Sequence, residues 1–265
     1  MKIGVVGCAG RMGRMLVAEI LATEGAVLVG GTEHSESVFL GQDIATLAGL
    51  DDVGIIVRSD IDALFSAADV VIDFTLPQAT ISHAEGAVKH GTALVIGTTG
   101  LNDEQQEAVE KASDRVAIIQ AANFSVGVNL LLALSSRVSG ALGDEYDIEI
   151  YEMHHRHKVD APSGTALALG QAAAEGRGVI LEEVSERTRD GNTGPRNRGN
   201  IGFATLRGGD VVGDHSLIFA TDGERIELTH KASSRRVFAR GAVRSAQWCK
   251  DKASGLYSMR DVIGL

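Results

Sequence analysis

Three histidines, an arginine and a lysine occupy five consecutive positions, 154–158 (HHRHK), in a chain whose formal net charge is −10. Imidazole changes charge near neutral pH, and a lysine ammonium is a compact cation, so the cluster suits a metal, a hydrogen-bond network or an anion. Metal ligation fits poorly. Neighbours on a strand point to opposite faces, and no carboxylate or thiol stands at helical ligand spacing as in HExxH. A structural network of histidines at a strand end, beside solvated Arg156 and Lys158, fits the five residues alone. The residues that follow, VDAPSGTALALG, favour an anion. Lys158 lies five positions before Ser163, Gly164 and Thr165, which open a helix. A helix start offers backbone N–H groups to an anion, and glycine permits close approach. Histidine, lysine and helix start together make a carboxylate receptor with a proton donor beside it. That chemistry suits hydride-plus-proton reduction of a small polycarboxylate.

A second group of residues suits the hydride source. The stretch GCAGRMG places Gly7, Gly10 and Gly13 between a strand-like run and a helical pattern, with Glu33 twenty residues beyond Gly13. Glycines let backbone N–H groups approach a pyrophosphate, and a later carboxylate can accept from ribose hydroxyls. The spacing GxxGxxG is a variant of the dinucleotide fingerprint; turn glycines with a solvated Glu33 are the bland alternative. Cys8 reads as a small space-filler rather than a nucleophile. GTTG at 97–100 and AANFS at 121–125 leave the ends of further strand-like runs, where ligands of doubly wound sheets sit.

The elements that must position these groups follow from periodicity. Apolar β-branched runs at Ile3–Val6, Val27–Val29, Val53–Val57, Val70–Phe74, Ala93–Ile96 and Val116–Ile119 alternate with helical patterns. That grammar predicts βαβ units and a mostly parallel sheet, an α/β domain over residues 1–124. Asn102 with Gln105 forms a capping-box pattern, Gly25 and Gly91 mark helix ends, and Pro77 opens a helix. After Asn123 the pattern changes to a long apolar helix at Val126–Leu142, a strand at Asp147–His154 and a helix at Ser163–Ala174. A polar loop at 185–200 and a hairpin around TDGE follow, making a second, α+β domain with a mixed or antiparallel sheet. Two cysteines, no signal-like leader and no apolar run near the ~20 residues of a span predict a cytoplasmic protein with no membrane role. A pI near 5.3 argues against nucleic acid as a partner.

These motifs resemble the dihydrodipicolinate reductase family of diaminopimelate and lysine biosynthesis. The likeness runs through GxxGRMG at 7–13, DFTLP at 73–77, GTTG, NFSVGVN at 123–129, EMHHRHKVDAPSGTAL at 152–167, GDVVGDH at 209–215 and THKASSR at 229–235. HHxxKxDxPSGT is the specific core. The resemblance implies a Rossmann-like domain with residues 236–265 packing back on it. It also implies a substrate and oligomerisation domain over 125–235, a homotetramer, and NADH or NADPH as cofactor. By motif, His154 and Lys158 are implied as catalytic, and His155, Ser163, Gly164 and Thr165 as the substrate receptor. Gly7, Cys8, Ala9, Gly10, Arg11, Met12, Glu33, His34, Gly97, Thr98, Thr99, Ala121, Ala122, Asn123, Phe124 and Phe238 are implied at the cofactor. No metal is implied. His34 stands where many relatives carry an arginine able to pair with a 2′-phosphate, and Glu33 repels that group, so dual use with a lean to NADH is expected. Another reductase of a small polycarboxylate and a non-catalytic nucleotide sensor are the rival readings; a sensor would need a DNA- or partner-binding segment, and no basic helix pair or tail is visible.

Overall fold

Alternating apolar runs and amphipathic stretches fold as strands β1 (Lys2–Val6), β2 (Val27–Thr32), β3 (Val70–Asp73), β4 (Ala93–Ile96) and β5 (Ala117–Gln120). Between them lie helices α1 (Arg11–Ala22), α2 (Ile44–Leu47), α3 (Ile61–Ala67), α4 (Thr80–His90) and α5 (Asp103–Ser113). Then come α6 (Val126–Leu142), β6 (Asp147–His154), α7 (Gly164–Arg177), α8 (Leu181–Val184), β7 (Ser185–Glu186), β8 (Ile201–Arg207), β9 (Gly213–Thr221) and β10 (Glu224–Ala232). The chain ends in α9 (Arg236–Trp248), β11 (Gly255–Tyr257) and α10 (Met259–Ile263). The computed structural model describes residues 1–265 and divides into two units, Met1–Val126 with Arg236–Leu265, and Gly127–Arg235.

The first unit is a Rossmann-like sheet of order β11-β5-β4-β3-β1-β2, parallel throughout. Strand β3 (VVID) is buried at every position, as a strand covered on both faces requires. Ile3, Val5, Ile72, Val95 and Ile119 pack with Leu16, Val17 and Ile20 of α1 and with Ala239, Ala242 and Val243 of α9. Val71, Leu94, Ile96 and Ile118 pack on the other side with Leu64, Phe65 and Val109. Asn102 and Gln105 form the expected capping box, Gly91 ends α4 at φ 67°, and Pro77 opens a short 3₁₀ turn into α4.

The run Val53–Val57 is not a strand. Gly54 turns it at φ 74°, and in place of a ladder it has the isolated bridges Asp43 to Ile56 and Thr32 to Arg58, with Val53 N and Ile55 N donating to the Asp43 carboxylate. The sixth strand is instead β11, from the C-terminal segment.

The second unit holds a mixed sheet of order β10-β9-β6-β8-β7, with β6 parallel to β8 and antiparallel to β9. Period-two alternation sinks Ile148, Ile150 and Glu152 of β6, while Asp147, Glu149, Tyr151 and Met153 are less buried. Ile148 and Ile150 join Leu169 and Ala173 of α7 in the core. Helix α6 lies tightly on α7: a β-carbon at Gly140 would come within 2.8 Å of the Gly176 carbonyl, and Ser139 donates to Ala173 O at 2.7 Å.

One composition reading needs correction here. The helical segment Val126–Glu145 is 20 residues long with a mean hydropathy of 1.3, enough by length and composition to cross a membrane. Its Leu131, Leu132, Val138 and Leu142 nonetheless belong to the core of the second unit, while Leu130 and Leu134 stay exposed. The polar loop after β7 is latched down. Arg189 forks onto both Glu149 oxygens at 2.9 and 2.7 Å, and Arg196 donates to Glu149 at 2.9 Å and Asp147 at 2.8 Å.

Candidate active site

In the first unit the glycine turn is built by close approach. Gly7 has φ 66°, a conformation glycine adopts without strain, and its N–H donates to Thr32 O at 2.8 Å. A β-carbon at Gly13 would collide with the Gly7 carbonyl oxygen, so the loop and the first turn of α1 can pack only with glycine there. Gly10 caps α1 without any side-chain bond, and the first helical hydrogen bond runs from Arg14 N to Gly10 O at 3.0 Å. The N–H groups of Arg11, Met12 and Gly13 therefore have no intrahelical acceptor, the arrangement by which a helix start can meet an anion. Glu33 Oε1 accepts from Ala9 N at 2.8 Å, which ties the acidic residue after β2 to the glycine turn. These residues fit a dinucleotide pyrophosphate and its adenosine ribose.

The structure sorts the remaining cofactor candidates by what they expose. Arg11, Gly10, His34, Thr99 and Ala122 are exposed; Gly7, Met12, Glu33, Gly97, Ala121, Asn123 and Phe238 are half-buried. Cys8, Ala9, Thr98 and Phe124 are buried. The Cys8 thiol is pushed up to about 12 by burial and by the Glu33 charge, which makes it a packing group under Gly31 rather than a nucleophile. The Phe124 ring packs 5.3 Å from Phe74, so its side chain is wall and only its backbone borders the loop. Sequence reading missed Asp73. Its fully buried carboxylate accepts from Thr75 N, Thr75 Oγ1, Thr98 Oγ1 and His83 Nδ1 at 2.8, 2.6, 3.1 and 2.7 Å. It thereby fixes the turns after β3 and β4 that line the strand ends.

In the second unit β6 delivers His154 at its last position. His154 Nδ1 lies 2.6 Å from Glu152 Oε2, so Glu152 takes that nitrogen and Nε2 is the one left for a ligand. The ring seats against Gly213, where a β-carbon would come within 3.0 Å of Nε2. Arg207 grips both Glu152 oxygens at 2.7 and 3.0 Å, and Ser163 N donates to Oε1 at 3.0 Å. Burial raises the Glu152 carboxyl, but the bonds from Arg207, His154 and Ser163 outweigh it and hold the group below its ordinary value. Ser163 caps α7 through Oγ to Ala166 N at 3.2 Å and also meets His215 Nε2 at 3.0 Å. Burial, then the neighbouring His154, depresses His215 to about 4, so it is neutral at working pH. Lys158 Nζ lies 2.7 and 2.8 Å from the Asp160 carboxylate. His155, half-buried, is lowered by desolvation, by Arg235 and by the surrounding cations. Gly164 is exposed and Thr165 half-buried at the helix start. No three His, Cys, Asp or Glu side chains converge as metal ligands.

Glu152, Arg207 and His215 escaped the sequence reading. Glu152 carried a signal, since it lies two residues before His154 on one face of the strand. Arg207 and His215 carried none, because only sheet register brings them to His154.

A parallel sheet whose first strand ends in a glycine turn beneath an uncapped helix defines a dinucleotide-binding α/β protein, here joined to a second unit that gathers cations around a helix start. The particular family follows from comparison with known proteins. Residues 1–124 match the family model for the N-terminus of dihydrodipicolinate reductase, and residues 127–263 match the model for its C-terminus. The chain belongs to the dihydrodipicolinate reductase family. It is 54% identical over 265 residues to the 4-hydroxy-tetrahydrodipicolinate reductase of Afipia carboxidovorans, covering 100% of this chain and 97% of that protein. It is also 54% identical to the enzyme of that name from Parvibaculum lavamentivorans, covering 100% and 98%. The dipicolinate-bound dihydrodipicolinate reductase of Paenisporosarcina sp. TG-14 superposes with a TM-score of 0.79 at 25% identity, covering 99% of each chain.

Proposed function

We infer that the chain is a 4-hydroxy-tetrahydrodipicolinate reductase, reducing the dihydrodipicolinate species to tetrahydrodipicolinate with NADH or NADPH in diaminopimelate and lysine biosynthesis. The observation that carries the chemistry is the His154 imidazole, bonded to Glu152 through Nδ1 beside the start of α7. When bound, the nicotinamide supplies the hydride. The chain's own residues do the rest. The N–H groups of Arg11, Met12 and Gly13 at the start of α1 hold the pyrophosphate, and Glu33 holds ribose hydroxyls. Gly97, Thr98, Thr99 and Ala121–Phe124 border the nicotinamide side, with Phe238 from the C-terminal segment. Ser163, Gly164, Thr165 and His155 receive a substrate carboxylate at the helix start. Lys158 trades its Asp160 partner for that carboxylate and offsets negative charge that builds as hydride arrives. His154 gives its Nε2 proton to the reduced ring.

Dual cofactor use with a lean to NADH belongs to this proposal, as do the homotetramer and a cytoplasmic location; sedimentation of the purified protein checks the assembly. Mixing the protein with NADH and freshly generated dihydrodipicolinate precursor tests the activity through loss of nicotinamide absorbance. Stoichiometric loss supports the reading. Tight NADH binding without turnover would point to a sensor, and turnover only with another diacid would point to a different reductase.

A further inference from the structure

The site holds one buried carboxylate that both the proton donor and the anion receptor share. Glu152 is 1% exposed, and its two oxygens accept from His154 Nδ1, both terminal nitrogens of Arg207 and the backbone N–H of Ser163. Arg207 reaches it from the end of β8, the position that the parallel register sets opposite His154. The same guanidinium donates to Asp160 O at 2.6 Å, in the segment that carries Lys158 toward α7. A planar guanidinium gripping a carboxylate by two parallel bonds fixes orientation as well as charge, which a lysine cannot do. An orphaned carboxylate at this depth would be costly, so the arrangement has a use beyond packing only if its charge acts on a neighbour.

We propose that Glu152 and Arg207 form a positioning pair for the reduction. Glu152 fixes the His154 tautomer with Nε2 presented to substrate, and it ties that ring to the receiving helix start through Ser163. Arg207 keeps the carboxylate oriented and pins the backbone at Asp160 between donor and receptor. The inference rests on His154 being the proton donor of the proposed reaction.

The charged and titratable groups around His154 are Glu152 on its own strand, Arg207 on β8, His215 on β9 with its ring 5.0 Å away, and His155 and Lys158 in the loop beyond. A carboxylate beside an imidazole stabilises the imidazolium, and a nearby guanidinium opposes it. The two members of the pair must therefore shift the donor in opposite directions. Activity that needs a protonated His154 declines as pH rises through its pKa, and this alkaline limb is the readout.

Glu152→Gln keeps the shape of the side chain and removes its charge. The expected result is a loss in kcat on the order of 10²-fold and an alkaline limb moved about one pH unit lower. The dissociation constant for NADH, a property of the first unit, is expected to stay near the parent value. Arg207→Gln is expected to move the limb upward with a smaller loss, about 10-fold in kcat. Arg207→Lys is expected to return the limb toward the parent while leaving part of the kcat loss, since the fork is gone. A lower plateau with an unmoved limb in both glutamine variants, or shifts of the same sign, overturns the proposal. Should Glu152→Gln fail to fold, Arg207→Gln decides alone: an upward shift supports the pair, and any other result overturns it. His154→Ala separates this inference from the reading beneath it. Retention of the parent limb in that variant removes His154 as donor, whereas its loss there beside an unmoved limb in Glu152→Gln removes only the positioning role.

Discussion

Each unit carries an imidazole–carboxylate pair at a strand end, and the two pairs do different work. Asp73 and His83 meet at 2.7 Å in the first unit, Glu152 and His154 at 2.6 Å in the second. Distances alone would not separate them. Asp73 directs its other acceptor sites to Thr75 and Thr98, hydroxyl groups of adjacent turns, and His83 lies beside the Phe65 ring. Glu152 directs its own to a guanidinium and a helix-start N–H, with Lys158 in the following loop. The first pair is a staple that holds loops. The second, in the proposed reaction, adjusts a proton beside a cationic receptor. Company, not geometry, makes the difference.

The largest test removes one imidazole from the second pair. His154→Ala is expected to lower kcat on the order of 10²–10⁴-fold while NADH affinity, read by fluorescence titration, changes little. Near-parent turnover would place both pairs among structural staples. In the first pair the expected effect falls on folding. Asp73→Ala leaves His83, Thr75 and Thr98 without their shared acceptor, and breaking a buried pair costs about 3–5 kcal/mol. Urea unfolding of the purified variant measures that loss; a cost below about 1 kcal/mol would mean the pair contributes no more than a surface bridge.

The contrast between the pairs was half legible in the sequence. The helix over Val126–Leu142 stands out as a long, mostly apolar run, and the strand over Asp147–His154 as an alternation that begins Asp-Ile-Glu-Ile. Ser163 stands out because a hydroxyl before Gly-Thr-Ala suits an N-cap. Val53–Val57 misled because β-branched residues signal a strand even where Gly54 turns the backbone and leaves it only isolated bridges and loop hydrogen bonds. Strand β11 is three residues long, too short to show a period, and joins the sheet only because α9 returns the chain to it. His154, Lys158 and the helix start lie within a dozen residues, so their chemistry could be read together. Asp73–Thr98 and Glu152–Arg207 are joined by tertiary register across 25 and 55 residues, which no local pattern reveals.

A pH series sharpens the same comparison at smaller amplitude. Burial raises the Asp73 carboxyl, yet the bonds from His83 and Thr75 outweigh it and leave the group below its ordinary value. A carboxyl depressed on folding stabilises the native state fully above its unfolded value near ~3.9 and loses that contribution as pH falls through the folded value. The stability gap between the parent and Asp73→Asn is therefore expected to be widest near neutrality and to shrink below about pH 4. A gap that grows on acidification would reverse the charge assigned to the first pair.

The smallest effect concerns how each unit treats ligand charge. In the proposed function the second unit meets its anion with Lys158, His155 and the start of α7. The first, on the same proposal, meets a dinucleotide with backbone N–H groups and a carboxylate, Glu33, at the ribose end, with exposed His34 next to it. A 2′-phosphate there would meet the Glu33 carboxylate beside a histidine, which lacks the planar fork of donors that an arginine offers. Placing a permanent, forked cation beside Glu33 should offset that repulsion by about 1 kcal/mol at so exposed a position. His34→Arg is accordingly expected to lower the Michaelis constant for NADPH roughly 5-fold and to leave that for NADH nearly unchanged. An unchanged Michaelis constant for NADPH in that variant would show that His34 does not face the phosphate, and discrimination would then rest on Glu33 alone.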